Sequence, residues 1–245
     1  EHSMMYLNER IDDLQRGGLR VIQRADAFRF GTDAVLLADF AAPRRHDRVC
    51  DLGTGTGIIP LLLYARENTI SADAVEIQPD MADMAARSMA MNGLNEKIRV
   101  LPGDLRSIRT LLPHARYDLV TCNPPYGKAG GTLLNPDASK RLARHEESCA
   151  IEDVACAAAW LLQNGGRLCC VFPAARMIEL SDAMRKYRMA PKRIRMVHSR
   201  VEKAAHLCLM EGMLDARPGL IIEPPLVIYD ENNAYTPELR RIYGL

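Results

Sequence analysis

The chain predicts an α/β fold, an open, seven-stranded, mostly parallel sheet that closes on an antiparallel pair of C-terminal strands. Three observations carry that expectation. Short apolar runs rich in Val, Ile, Leu and Cys alternate with helical periods from Val49 to Tyr187, the order that builds parallel sheets. Three successive runs, Val49–Leu52, Ala74–Ile77 and Ile98–Leu101, each have an acidic residue at or close to the C-terminal end, namely Asp51, Glu76 and Asp104. Finally, Ile194–His198 and Leu207–Leu214 leave no room for a helix between them, so they should pair antiparallel.

Taken in order, Glu1–Met4 reads as a tag remnant before a native start at Met5, and residues 5–45 as an extension packed on a domain spanning 46–245. Asn8–Gln15 has the spacing of a short amphipathic helix ended by Gly17-Gly18. Leu19–Gln23 and Ala27–Phe30 then read as strands around a polar turn at Arg24–Asp26. Thr32 is expected to N-cap a helix running to about Phe40, with Asp33 in its first turn complementing the helix dipole. Thr32 and Asp33 are then either a plain cap or part of a lid that faces a cationic ligand. A helix from Ile58 to about Glu67 follows the first core strand. Met81, Met84, Ala85, Ser88 and Met89 mark the core face of the next helix, which Gly93 stops. Tyr117–Cys122 is a fourth strand and Arg167–Phe172 a fifth, separated by a helix whose face is set by Ile151, Val154, Ala155, Ala158, Leu161 and Leu162. Ala175–Tyr187 is helical, Pro224–Tyr229 is extended, and the tail to Leu245 forms a short helix.

The turn after the first core strand, Asp51-Leu52-Gly53-Thr54-Gly55-Thr56-Gly57, separates two kinds of ligand. A dinucleotide fingerprint places glycines at Gly-x-Gly-x-x-Gly so that pyrophosphate rests on the helix N-terminus, but Ile58 stands at the third position here. The glycines instead follow Gly-x-Gly-x-Gly behind Asp51. S-adenosylmethionine has no phosphate and carries a sulfonium and an ammonium, so a carboxylate beside a glycine turn matches it better. Glu76 would accept from both ribose hydroxyls, as the acidic residue of dinucleotide-binding folds does. Asp104 would accept from the adenine amino group while Leu105 covers the ring. Singly, each carboxylate is also an ordinary strand-end turn residue.

The stretch Asn123-Pro124-Pro125-Tyr126 ends the fourth strand at the sheet edge where open α/β sheets bind ligands. Two prolines fix two φ angles and remove two donors, which leaves a stiff turn with free carbonyls. The Asn123 side-chain oxygen and the Pro124 carbonyl can accept both hydrogens of a planar amino group whose ring stacks on Tyr126. Asn123 is expected to border the cofactor as well. Beyond it, Gly127–Ser148 reads as a long loop made basic by Lys128, Lys140, Arg141, Arg144 and His145, either a solvated surface or a contact for a phosphate backbone. His145 and Glu146 either order that loop or form a surface pair. Lys186, Arg188, Lys192, Arg193 and Arg195 form a second basic cluster.

Composition sets bounds on these readings. A net charge of +1 gives no global field for nucleic acid, so any RNA contact must be local. Seven cysteines lack metal-ligand spacing; Cys50, Cys122, Cys169, Cys170 and Cys208 lie in apolar runs and read as buried hydrophobes of a reducing cytoplasm. The longest apolar stretch, Ile58–Ala65, is too short to span a bilayer, and no signal-peptide pattern precedes it.

Taken together, these motifs resemble the class I, Rossmann-like methyltransferases that use S-adenosylmethionine, and the Asn-Pro-Pro-Tyr signature resembles those acting on an amino or amide nitrogen. Asn8–Asp12, Phe30–Ala38, Asp51–Pro60, Thr121–Tyr126 and Ala143–Glu146 are similar to the bacterial tRNA1(Val) adenine-37 N6-methyltransferase family, over nearly the whole chain from Met5. The resemblance implies catalysis by Asn123, Pro124 and Tyr126, and cofactor contacts from Thr32, Asp33, Asp51, Gly53, Gly55, Gly57, Glu76, Asp104, Leu105 and Asn123. It also implies RNA contacts from Pro125, Lys128, Arg144 and His145, with tRNA as substrate and no metal. Three alternatives stay open: a protein glutamine N5-methyltransferase, an amino-group methyltransferase of ribosomal RNA or DNA, and a cofactor- and RNA-binding protein without turnover.

Overall fold

The computed structural model describes residues 6–26, 31–124 and 149–245. Its central sheet runs in the order β10-β8-β9-β7-β6-β3-β4-β5, with β11 also paired to β8. The strands are β3 (Arg48–Leu52), β4 (Ser71–Glu76), β5 (Ile98–Pro102), β6 (Tyr117–Cys122), β7 (Leu162–Pro173), β8 (Met189–His198) and β9 (Ala205–Leu214), plus the two-residue β10 (Ile221–Ile222) and β11 (Leu226–Val227). β9 alone runs antiparallel to its neighbours β7 and β8; every other pairing in this sheet is parallel. Seven long strands were expected, and the structure has them with two short ones added at the β8 edge.

Strand alternation divides the core into two layers. Along β7, Cys169 and Val171 face the layer built from α1 (Thr32–Ala41), α2 (Ile58–Arg66) and the C-terminal α7 (Pro237–Tyr243). Leu168, Cys170 and Phe172 face the layer of α4 (Ile108–Leu111), α5 (Ile151–Leu161) and α6 (Met177–Lys186). The five cysteines assigned to apolar runs are all buried. Among the described residues, no helix is long and apolar enough to cross a membrane.

α1 ends against the sheet without a basic residue in its own last turn. Its orphan carbonyls are met from elsewhere. Arg167 Nη1 donates to Ala41 O at 2.9 Å and Arg193 Nη2 to Phe40 O at 2.6 Å, so two strand cations sit where the negative end of the dipole favours them. The buried Glu211 carboxylate binds both arginines, at 3.0 and 3.1 Å, and compensates their burial.

The structure corrects several expectations. Asn8–Gln15 is not a helix: Glu9–Asp13 is strand β1, paired antiparallel with β2 (Arg20–Arg24) in a hairpin. The hairpin docks on α3 (Pro79–Met91), where Arg87 forks onto Glu9 at 2.6 and 2.7 Å and Ser88 Oγ accepts from Ile22 N at 2.8 Å. Those tertiary bonds override an eight-residue helical signal too short to stand alone. Thr32 is the first helical residue and not the cap; Gly31 holds the cap position, and the Thr32 hydroxyl accepts instead from the Tyr243 hydroxyl at 3.2 Å. The strand expected at Ala27–Phe30 lies outside the described residues.

The second basic cluster is also corrected. Lys186 pairs with Glu152, Arg188 with Asp215, Arg193 with Glu211 and Glu223, and Arg195 with Glu238, while Lys192 donates to Arg217 O. Four of these five cations are thus paired with carboxylates, which weakens the positive field of the cluster, while Lys192 meets only a carbonyl among the described residues.

Candidate active site

The parallel register lines up the candidate residues along one edge. Leu52 of β3 is abreast of Cys122 of β6 and of Val75 of β4, so the residues that follow, Gly53, Asn123 and Glu76, lie in one row at the edge of the sheet. Glu76 is in turn abreast of Pro102 of β5, and Asp104 lies two residues further on. With strands about 4.8 Å apart, Asn123 and Glu76 stand roughly 10 Å apart across the glycine turn. β6 is held on both sides, by β3 and β7, and the half-buried Asn123 is followed directly by the buried Pro124.

The glycine turn is fastened from below. Gly53 N and Thr54 N both donate to Val75 O, at 2.9 and 3.0 Å, and Gly55 N donates to Glu76 Oε2 at 2.8 Å. A Cβ on Gly53 would meet nothing within 4 Å, so open space lies above the turn. Gly57 differs: its φ is +85°, and a Cβ there would come within 2.6 Å of Met89 Cε and 3.3 Å of Ala85 Cβ. Left-handed strain and overpacking against α3 add, so Gly57→Ala should destabilise the fold by about 2–3 kcal/mol, read as a lower midpoint in chemical denaturation at unchanged slope.

Asp51 lies beneath the turn and is fully buried. Thr121 Oγ1 donates to its Oδ1 at 2.7 Å, while Oδ2 has no hydrogen-bond partner among the described residues. The buried Thr54 hydroxyl approaches the carboxylate but also lacks a partner in hydrogen-bond geometry. Burial raises the Asp51 pKa to about 7; the Thr54 and Thr121 hydroxyls pull it down, and the Glu76 charge pushes it up. Such a carboxylate, poised between its protonated and ionised forms near neutral pH, answers strongly to a cation placed above it.

Glu76 is buried as well, with Oε1 accepting from Gln78 N at 2.9 Å and Oε2 from Gly55 N. Each oxygen keeps a second lone pair for an incoming hydroxyl. Asp104 caps the short turn Leu105–Ser107 by accepting from Arg106 N at 2.9 Å, and the Arg106 guanidinium, at 2.6 Å, holds its carboxyl below the usual range. Leu105 is half-buried against the α5 layer. Asp33 sits in the first turn of α1. Pro125, Tyr126, Lys128, Arg144 and His145 lie outside the described residues.

On the other side of Pro124 a cleft of about 780 Å³ opens between the start of α5 and α6, with Ile151, Phe172 and the ion pairs Arg176–Glu179 and Lys186–Glu152 on its walls. The Arg176 guanidinium lies 4.9 Å from the Phe172 ring centroid. Among the described residues, no group of three or more His, Cys, Asp or Glu side chains could hold a metal ion. Thr121 and Tyr243 escaped the sequence reading. Thr121 immediately precedes the Cys-Asn-Pro stretch and alternates toward Asp51, a signal the strand period contains; Tyr243 carries no local signal.

Known proteins offer a comparison for this arrangement. The family described as "Methyltransferase small domain" matches residues 25–193. A tRNA1(Val) (adenine(37)-N6)-methyltransferase of Porphyromonas gingivalis is 32% identical over 231 residues, covering 90% of this chain and 89% of that protein. One from Tolumonas auensis is 34% identical over 216 residues, covering 86% of each. Among solved structures, a predicted O-methyltransferase from Agrobacterium tumefaciens superposes with a TM-score of 0.72 at 24% identity, over 87% of this chain and 96% of the other, a likeness of fold. Profile, identity and coverage agree, and the chain belongs to the methyltransferase small-domain family, with the tRNA1(Val) (adenine(37)-N6)-methyltransferases as its relatives.

Proposed function

We propose that this protein transfers a methyl group from S-adenosylmethionine to the exocyclic N6 of an adenine in tRNA, the anticodon-loop adenine at position 37 being the target its relatives' names specify. The observation that carries the reading is the row at the sheet edge, where Asn123 stands beside the glycine turn and the turn beside Glu76. The donor set suits the cofactor. Space lies above Gly53, Glu76 has lone pairs for the ribose hydroxyls, and the orphaned Asp51 Oδ2 beneath the turn supplies negative potential for a sulfonium or ammonium. Asp104 and Leu105 flank the far end of the row, and Thr32 and Asp33, in the first turn of α1, complete the cofactor-binding set in this reading.

The bound cofactor supplies an electrophilic methyl; the chain's own residues make the nitrogen able to take it. The adenine N6 lone pair is delocalised into the ring and is poorly nucleophilic in that state. Asn123 Oδ1 and the Pro124 carbonyl accept the two N–H bonds, turn them out of conjugation and aim the lone pair. Tyr126 stacks on the extruded base, and Lys128, Arg144 and His145 contact the RNA backbone. No strong base is needed, because the proton becomes acidic once nitrogen bears four bonds and leaves afterwards. Positioning of this kind supplies up to roughly 7–11 kcal/mol. An anticodon-loop base, already unpaired, is extruded more cheaply than one in a duplex.

Incubation with labelled cofactor and, separately, undermodified tRNA, ribosomal RNA and a release factor tests the assignment. Nucleoside mass spectrometry should find N6-methyladenosine in the tRNA. Label confined to ribosomal RNA or to a glutamine side chain would overturn it.

A further inference from the structure

The C-terminal tail carries three stacked tyrosines. Tyr229 and Tyr235 have ring centroids 5.6 Å apart and planes 24° apart; Tyr235 and Tyr243 follow at 5.5 Å and 15°. Tyr243 anchors the inner end through its hydroxyl on Thr32, and Tyr235 and Tyr243 pack against the core. Tyr229 is the outer ring, 38% exposed, and its far face meets no other ring among the described residues.

The ladder is rigid. Ile228 N and Tyr229 N donate to His198 O and Ser199 O, each at 2.9 Å, a backbone bridge joins Tyr229 to Tyr235, and the Asp230 carboxylate accepts from Asn232 N and Ala234 N at 2.8 and 3.0 Å. Its location bears on function. β11 is parallel to β8 with Val227 abreast of His198, so Tyr229 leaves the sheet at the same edge as Asn123. β11 lies on the outer side of β8, four strands from β6, about 19 Å along that edge, and the register through Cys170, Met210 and Ile194 sets Tyr229 several residues further out along the strand direction than Asn123. Arg200 donates to the backbone carbonyl of Asp230, the residue after Tyr229, and so adds a cation at this end of the tail.

A preformed stack that ends in a partly exposed outer ring accepts another flat ring with little ordering, which is how unpaired bases are held without sequence readout. We propose that the Tyr229–Tyr235–Tyr243 ladder is a stacking platform for an unpaired nucleobase of the RNA that flanks the adenine entering beside Asn123. This rests on the RNA-methylating reading above and extends it to a contact a few nucleotides away. Tyr229 holds the substrate and takes no part in methyl transfer.

The test compares full-length wild type with Tyr229→Ala, Tyr229→Leu and Tyr229→Phe. KM for tRNA, kcat and cofactor Kd are measured, together with the Kd for a short single-stranded RNA by fluorescence anisotropy, which needs no turnover. Ala and Leu should raise KM for tRNA and Kd for the oligonucleotide about 5- to 100-fold, the range of one base stack. Phe should match wild type, and kcat and cofactor Kd should not move. Wild-type values in the Ala variant, or in the Leu variant, which keeps bulk but not flatness, overturn the platform. Equal losses in kcat and cofactor affinity also overturn it, since the ladder would then only anchor α7 to α1. If oligonucleotide affinity falls in the Ala variant while the wild type methylates no tRNA, the platform stands and the tRNA reading fails; if wild type neither binds RNA nor methylates it, both fail.

Discussion

Replacing Asn123 with alanine is expected to lower methyl transfer about 10²–10³-fold while leaving cofactor affinity within about twofold, the scale seen when one fixed hydrogen-bonding group is removed from a preorganised site. The backbone at this point should not move. Cys122 is paired to Leu52 on one side and Cys170 on the other, and the buried Pro124 fixes the exit, so truncation deletes an acceptor without releasing the turn. Half-burial limits the stability effect to about 1 kcal/mol. Asn123→Asp keeps an acceptor oxygen and should retain more activity than the alanine variant. Single-turnover transfer of a tritiated methyl group measures the rate and calorimetric titration the cofactor affinity. Turnover at the wild-type rate in Asn123→Ala would remove the amino-group grip from the mechanism.

The parallel half of the sheet was legible because its signals are local. Tyr117–Cys122 matches β6 residue for residue, β3 and β5 differ from the expected runs by one residue at an end, and β4 begins three residues earlier; each is a short, mostly apolar run closed by turn residues. The glycine turn and its acidic neighbours were legible for the same reason. What escaped depends on partners far along the chain. β1 is a strand because β2 and α3 receive it, and Arg87 lies 78 residues from Glu9. Thr32 lost its expected capping role to a tyrosine 211 residues away. The cations from Lys186 to Arg195 read as a basic patch until carboxylates between 18 and 43 residues distant are seen paired to them. Asp51 was legible as a residue but not as a state: its complete burial and its bond to Thr121, 70 residues on, decide how it titrates.

That state has a measurable pH signature. Asp51 titrates near 3.8 when exposed and at about 7 in the fold, raised first by burial and then by the charge of Glu76. A carboxyl whose folded pKa lies above its unfolded value binds its proton more tightly when folded. Its contribution to stability is therefore fully present below pH 4 and is lost as pH rises through 7. Three pH units at 1.36 kcal/mol each set an upper limit of about 4 kcal/mol. Relative to Asp51→Asn, which stays neutral, cofactor-free wild type should lose stability progressively between about pH 4 and pH 7 in denaturant titrations and level off above. A cation above the glycine turn favours the ionised form, so cofactor binding should expel a proton. Affinity should then rise by up to tenfold per pH unit from 5 to 7 and level off above. Calorimetry at pH 6 in buffers of differing ionisation enthalpy should count close to one proton released by wild type and none by Asp51→Asn. A proton count of zero in wild type would mean that the carboxylate under the turn does not sense the cofactor's charge.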